Sequence, residues 1–163
     1  MTEPVDELVG LDRRGLILPA DVEAEEFVDI ARKTLRWAER VDEECRTQGQ
    51  ATILGEILPA SDRVPKDVLA DCFQPVEEAY QISPLWVPAF FSNAYLPFYV
   101  GGATFFDPSA GPFQVCMILR KAFRGRERWL VYDRSEILSH EACHVARGAM
   151  QQESFEEPMA YAI

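Results

Sequence analysis

A chain of 163 residues is the length of one ordinary domain, and 27 acidic against 16 basic side chains give it a formal net charge of −11, which argues against nucleic acid or an anionic membrane surface as a partner. The acid is concentrated early: residues 1–90 hold 19 acidic and 9 basic side chains, residues 91–163 hold 8 and 7. No apolar run approaches the roughly eighteen residues of a membrane helix, the start Met1–Glu7 is acidic where an export signal is basic, and Cys45, Cys72, Cys116 and Cys143 form no C-x-x-C pair, so a cytoplasmic protein with reduced thiols is expected.

In chain order, the first strong pattern is helical. Phe27, Ile30, Thr34, Trp37, Ala38, Val41 and Cys45 recur at the spacing of one helix face, after Asp21 as N-cap and up to Gly49 as stop. Ile53 to Leu58 suggests a short additional helix. Val68, Leu69, Cys72, Phe73, Val76 and Tyr80 predict another, bent or broken at Pro75. From Trp86 the pattern turns to aromatic and branched runs punctuated by Pro and Gly, predicting strands at Trp86–Phe91, Tyr95–Val100, Ala103–Phe106, Phe113–Phe123 and Arg128–Asp133. Asp107–Pro112 reads as a turn, and Arg124-Gly125-Arg126 as the tip joining the last two strands. The basic cluster Arg120, Lys121, Arg124, Arg126, Arg128 and Arg134 then falls on the solvated face and turn of that hairpin. No internal repeat is visible.

The chain has two histidines, and both lie in His140-Glu141-Ala142-Cys143-His144, an H-E-x-x-H pattern inside the apolar-periodic stretch Ile137 to Ala146. On a helix of about 3.6 residues per turn, positions 140 and 144 share one face and can grip one ion. Glu141 follows the first histidine by roughly 100°, close enough to reach a water at that ion without being a ligand. The bland alternative is two histidines satisfied by hydrogen bonds on an amphipathic helix, a reading that does not require a carboxylate between them. Cys143 points away from His144 and reads as core packing.

With this motif the sequence resembles the zincin metallopeptidases, and the acidic residues downstream resemble the gluzincin branch, in which a later glutamate is the third zinc ligand. Glu153, Glu156 and Glu157 are the candidates. Several gluzincins carry Glu-x-x-Ala on the helix bearing that ligand, and Glu157 with Ala160 fits, so the resemblance implies His140, His144 and Glu157 as ligands of Zn2+ and Glu156 as the reserve. Where those relatives have an aspartate that orients a ligand histidine, this chain has Tyr161, whose phenol would take that place. Asn93-Ala94-Tyr95 echoes the sheet-edge segment with which thermolysin-like enzymes hold substrate backbone, marking these three as candidate substrate-binding residues.

The expected fold is therefore α+β and zincin-like: backing helices, a small mixed β-sheet, the H-E-x-x-H helix and a glutamate segment in one catalytic domain over residues 1–163. The apolar pattern is still running at Ile163, which reads as a truncation at the C-terminus. The expected activity is peptide-bond hydrolysis, with Glu141 activating a zinc-bound water and an extended peptide or unfolded protein as substrate. The alternative is a metal-binding or protein-interaction domain without turnover. A deformylase would need an upstream cysteine ligand in a context that Cys45, Cys72 and Cys116 do not offer, and a three-histidine site is excluded by count.

Overall fold

The computed structural model describes residues 3–106 and 114–148, with side chains described for 5–106 and 114–145. Two helices come first, α1 (Glu3–Asp12) and α2 (Ala24–Gln48). The second buries Phe27, Ala31, Thr34, Trp37, Ala38, Val41 and Cys45 as one stripe, leaving Ile30 half-buried at its margin. It ends where expected, because Gly49 adopts φ 72° and donates its N–H to the Cys45 carbonyl. It does not start at Asp21: Glu23 holds the cap position with no side-chain cap bond, and Glu25 and Glu26 complement the helix dipole in the first turn. The N-terminal helix has no counterpart among the predicted elements. A small cluster of Leu11, Leu16, Phe27 and Ala31 docks it on α2, and Arg32 makes a bidentate pair with Glu7 at 2.9 Å.

The short helix expected at Ile53 to Leu58 is instead a hairpin of β1 (Gln50–Ile53) and β2 (Glu56–Pro59). Burial alternates, with Ala51, Ile53 and Leu58 inward and Thr52 and Ile57 outward, so the period is two. The two turn residues Leu54 and Gly55 both have positive φ, 55° and 78°, the mirror-type turn whose twist matches a hairpin. Next comes α3 (Lys66–Tyr80), which runs through Pro75 without breaking.

Three strands form the main sheet: β3 (Ala89–Phe91), β4 (Gly102–Phe106) and β5 (Val115–Leu119), in the order β3-β5-β4. The sheet is mixed, with β3 parallel and β4 antiparallel to the central β5. Tyr95–Val100 is not a strand. Its backbone turns at Tyr95 (φ 63°) and again where Val100 N–H donates to the Pro97 carbonyl, and a proline within the run removes a ladder donor. Arg128–Asp133 is likewise no single strand. It folds into β6 (Arg128–Trp129) and β7 (Tyr132–Asp133) with Leu130-Val131 at the tip, so Arg124-Gly125-Arg126 is not the hairpin turn. Of the basic cluster, Lys121, Arg124, Arg126 and Arg128 are exposed as expected, Arg134 is half-buried and Arg120 is buried. Arg120 is buried under Trp129 and donates to the carbonyls of Val100 and Pro97, while Lys121 and Arg124 hold the buried Asp62 carboxylate at 3.0 and 2.5 Å. The turn expected at Asp107–Pro112 lies outside the described residues.

The sheet separates two layers. Its face carrying Ala89, Phe91, Val115, Met117 and Leu119 packs on Leu69, Cys72, Phe73 and Val76 of α3 and on the last described helix, α4 (Arg134–Gly148). Its other face, with Phe90, Cys116 and Ile118, packs on Trp37, Val41 and Cys45 of α2 and on the β1–β2 hairpin. The architecture is thus α+β, helices and a hairpin on both sides of a small mixed sheet. No helix among the described residues is long and apolar enough to cross a membrane.

Candidate metal centre

The helix that carries the histidines is fixed at its start, along its length and against the sheet. Asp133 caps it: one carboxylate oxygen accepts the N–H and the hydroxyl of Ser135, each at 2.9 Å. Those two bonds, the hydroxyl's first, hold the Asp133 carboxyl below the usual carboxylate range. Leu138, Ala142, Cys143 and Val145 fill the core beneath α4, and Ser139 donates to the Cys72 carbonyl of α3 at 2.6 Å. On the sheet side the approach is closest. Gly101 and Gly102 face Ile137, and a Cβ on Gly102 would stand 2.6 Å from Ile137 Cγ2.

This docking sets the three motif residues in different surroundings. His140 and His144 are half-buried, and their Nε2 atoms stand 3.0 Å apart with the rings edge to face at 4.7 Å. Two nitrogens bound to tetrahedral zinc at about 2.05 Å are separated by about 3.3 Å, so the pair needs only a few tenths of an ångström of adjustment to share the ion. Glu141 is buried, with 5 % of its surface exposed, and its Oε2 accepts the Thr104 hydroxyl at 2.8 Å. The same hydroxyl lies 3.1 Å from the Glu141 carbonyl oxygen. Burial pushes the Glu141 carboxyl above the ordinary glutamate range, against the opposing pulls of the Thr104 hydrogen bond and of His144 and His140. One ligand-type atom from each of His140, Glu141 and His144 lies within 4.8 Å of the others, the one cluster of potential metal-holding residues among those described. The chemistry of this donor set, two imidazoles and a carboxylate of raised proton affinity, suits a divalent borderline cation such as zinc.

The remaining candidates divide. Glu153, Glu156, Glu157 and Tyr161 lie outside the described residues. Asn93, Ala94 and Tyr95 are described, and the fold does not bring them to Glu141. Asn93 Oδ1 accepts the Lys121 N–H at 3.2 Å, Ala94 N–H donates to Ser92 Oγ at 3.0 Å, and Tyr95 donates to the Leu54 carbonyl at 2.7 Å while its ring rests on Phe105. Phe105 is on the sheet face turned towards α2, whereas Thr104 and Glu141 meet on the face turned towards α4. Cys143 is in the core, as its helical position implies.

Thr104 is the polar neighbour that sequence reasoning passed over. Its one signal is its place as the sole hydroxyl in the otherwise apolar strand Gly102-Ala103-Thr104-Phe105-Phe106, and that signal does not say which helix it meets. Comparison with known proteins returned no match: no family profile, no curated protein and no solved structure is similar enough to this chain to place it in a family.

Proposed function

We propose that the protein is a zinc-dependent metallopeptidase of zincin-like architecture that hydrolyses extended or unfolded polypeptide. The observation that carries this reading is the convergence of the two imidazole Nε2 atoms at 3.0 Å beside a buried carboxylate that is next to the first of them in sequence. His140 and His144 would hold the ion, with Glu157 as the third ligand from the following segment. Bound zinc would supply Lewis acidity, polarising the scissile carbonyl and bringing the pKa of water to about 7. Glu141 takes a proton from the attacking water and returns it to the leaving amine, a transfer favoured by a carboxyl whose burial raises its proton affinity. Its hydrogen bond to Thr104 keeps the carboxylate oriented while the proton moves.

A second reading has its own observation. The Glu141 carboxylate lies within 4.8 Å of both imidazole nitrogens, so it suits a closed metal site in which it is a ligand and nothing turns over. Glu141→Gln separates the two. In a peptidase the variant keeps about one zinc per chain while hydrolysis of unfolded casein falls about 10² to 10⁴-fold. In a closed site it loses zinc affinity about as severely as His140→Ala or His144→Ala. Elemental analysis that finds no metal in the wild type, even after zinc is offered at neutral pH, sinks both readings. If Glu157→Gln weakens zinc binding no more than Glu156→Gln or Glu153→Gln, the third ligand is misassigned.

A further inference from the structure

We propose that Thr104 is a positioning residue for Glu141, tethering one carboxylate oxygen to the sheet so that the side chain stands beside the two histidines as a base and stays out of the metal's ligand set. The inference rests on the peptidase reading and refines it. A glutamate side chain turns about three bonds, and on an open helix face its carboxylate would sample the ion as readily as the water. Here Thr104 Oγ1 sits 2.8 Å from Oε2 and 3.1 Å from the carbonyl oxygen of the same residue. The single hydroxyl proton is best placed for Oε2, the shorter contact, and the nearness of the carbonyl oxygen of the same residue shows that the tethered carboxylate is turned along the helix towards the sheet.

The anchor itself is stiff. Thr104 is paired with Met117 in the middle of the β4–β5 ladder, and a β-branched residue has few χ1 choices on a strand. Gly102, two residues earlier on the same face of β4, admits Ile137 and so sets how close α4 lies to the hydroxyl. With its carboxylate buried, Glu141 has strong reason to keep this partner, because an unsatisfied buried oxygen is costly. Oε2 is thereby held to the sheet, and a carboxylate held in this way is hindered from closing on the ion with both oxygens.

The test compares Thr104→Val, which keeps the shape and removes the hydroxyl, with Thr104→Ser, which restores it, in the full chain loaded with zinc or with cobalt as a spectroscopic probe. All three proteins should bind about one metal per chain. Thr104→Val should alter the visible cobalt spectrum as Glu141 moves onto the ion, and should lower kcat on unfolded casein about tenfold or more with KM within about twofold of the wild type. Thr104→Ser should recover both. A valine variant with wild-type spectrum and kcat overturns the proposal, as does a serine variant as impaired as the valine one, which would mark a packing role. Wild type that binds no metal refutes the peptidase reading and the base role with it. Unfolding of the metal-free chain then still reports on the tether: Thr104→Val should lower Tm in the wild-type background and much less in Glu141→Met, and equal losses in the two backgrounds show that the hydroxyl does not serve Glu141.

Discussion

The closeness of α4 to the sheet is the geometric premise of the whole site, and Gly102→Ala tests it. A Cβ at position 102 would stand 2.6 Å from Ile137 Cγ2 and 3.3 Å from the Ile118 carbonyl oxygen. Carbon atoms rest at about 3.5 to 4.0 Å, so about 1 Å must be found. It cannot come from Ile118, whose backbone is part of the central strand. Nor does Ile137 turn aside freely, since the clashing Cγ2 branches directly from its Cβ and a β-branched side chain on a helix has one strongly preferred χ1. The relief must come largely from α4 moving off β4. Overpacking of this kind costs about 1–3 kcal/mol, and for a chain of this size that is a fall in Tm of about 2–12 °C. A shift of about 1 Å would also stretch the 2.8 Å bond between Thr104 and Glu141 beyond useful hydrogen-bond length, so metal-supported hydrolysis should fall more than the stability loss alone explains. The check is thermal unfolding by circular dichroism of Gly102→Ala, Ile137→Ala and the double variant. Removing the isoleucine methyls opens the space, so the alanine at 102 should cost less than half as much in the Ile137→Ala background. A Gly102→Ala protein that melts with the wild type, or a loss undiminished in the double variant, would falsify the argument from close approach.

Two further outcomes follow from buried titratable groups. Because burial raises the folded-state pKa of Glu141 above its unfolded value of about 4.3, wild type carries no penalty below that value and loses stability as pH rises from it through the folded value; metal-free Glu141→Gln should therefore gain in Tm over wild type as pH goes from about 4 to 7, and a constant difference across that range would contradict the assignment. All four cysteines are buried, and burial pushes the Cys45, Cys72 and Cys116 thiols up, so a disulfide reagent such as Ellman's should react only with the unfolded chain, whereas a fast-reacting thiol in the native protein would show that one of these sites is open.

What could be read from the residues follows from how local each signal is. The stripe from Phe27 to Cys45 is a repeat within one helix and survives folding almost intact, as does its glycine stop. The H-E-x-x-H spacing also needs only one helix to bring two nitrogens together. The errors arise where a short apolar run is compatible with two periods. Ile53 to Leu58 has too few positions to separate a period of 3.6 from one of 2, and the deciding feature is Gly55 in a two-residue turn. Tyr95–Val100 has strand composition, yet Arg120 fixes its carbonyls from 20 residues further on, a contact that no local pattern announces. The partnership of Thr104 with Glu141 spans 37 residues and depends on two glycines letting a helix and a strand approach. A sequence shows the glycines without showing what they make room for.

The arrangement explains how three polar residues within five positions of one helix come to lie in two different surroundings. Packing, rather than the motif, decides which of them is sheltered. Leu138, Ala142 and Val145 direct one side of α4 into the core, and this leaves position 141 facing β4 while 140 and 144 stay at the half-exposed margin. The histidines are accordingly placed where an ion and solvent can reach them, and the glutamate where loss of water raises its hold on a proton. A carboxylate at the margin would be solvated, a weaker base and free to swing. Had the core stripe been rotated by one residue so that Glu141 took the place of His140, the carboxylate would lie at the half-exposed margin and Ala142 would face Thr104, with the same five-letter motif and no carboxylate held to the sheet.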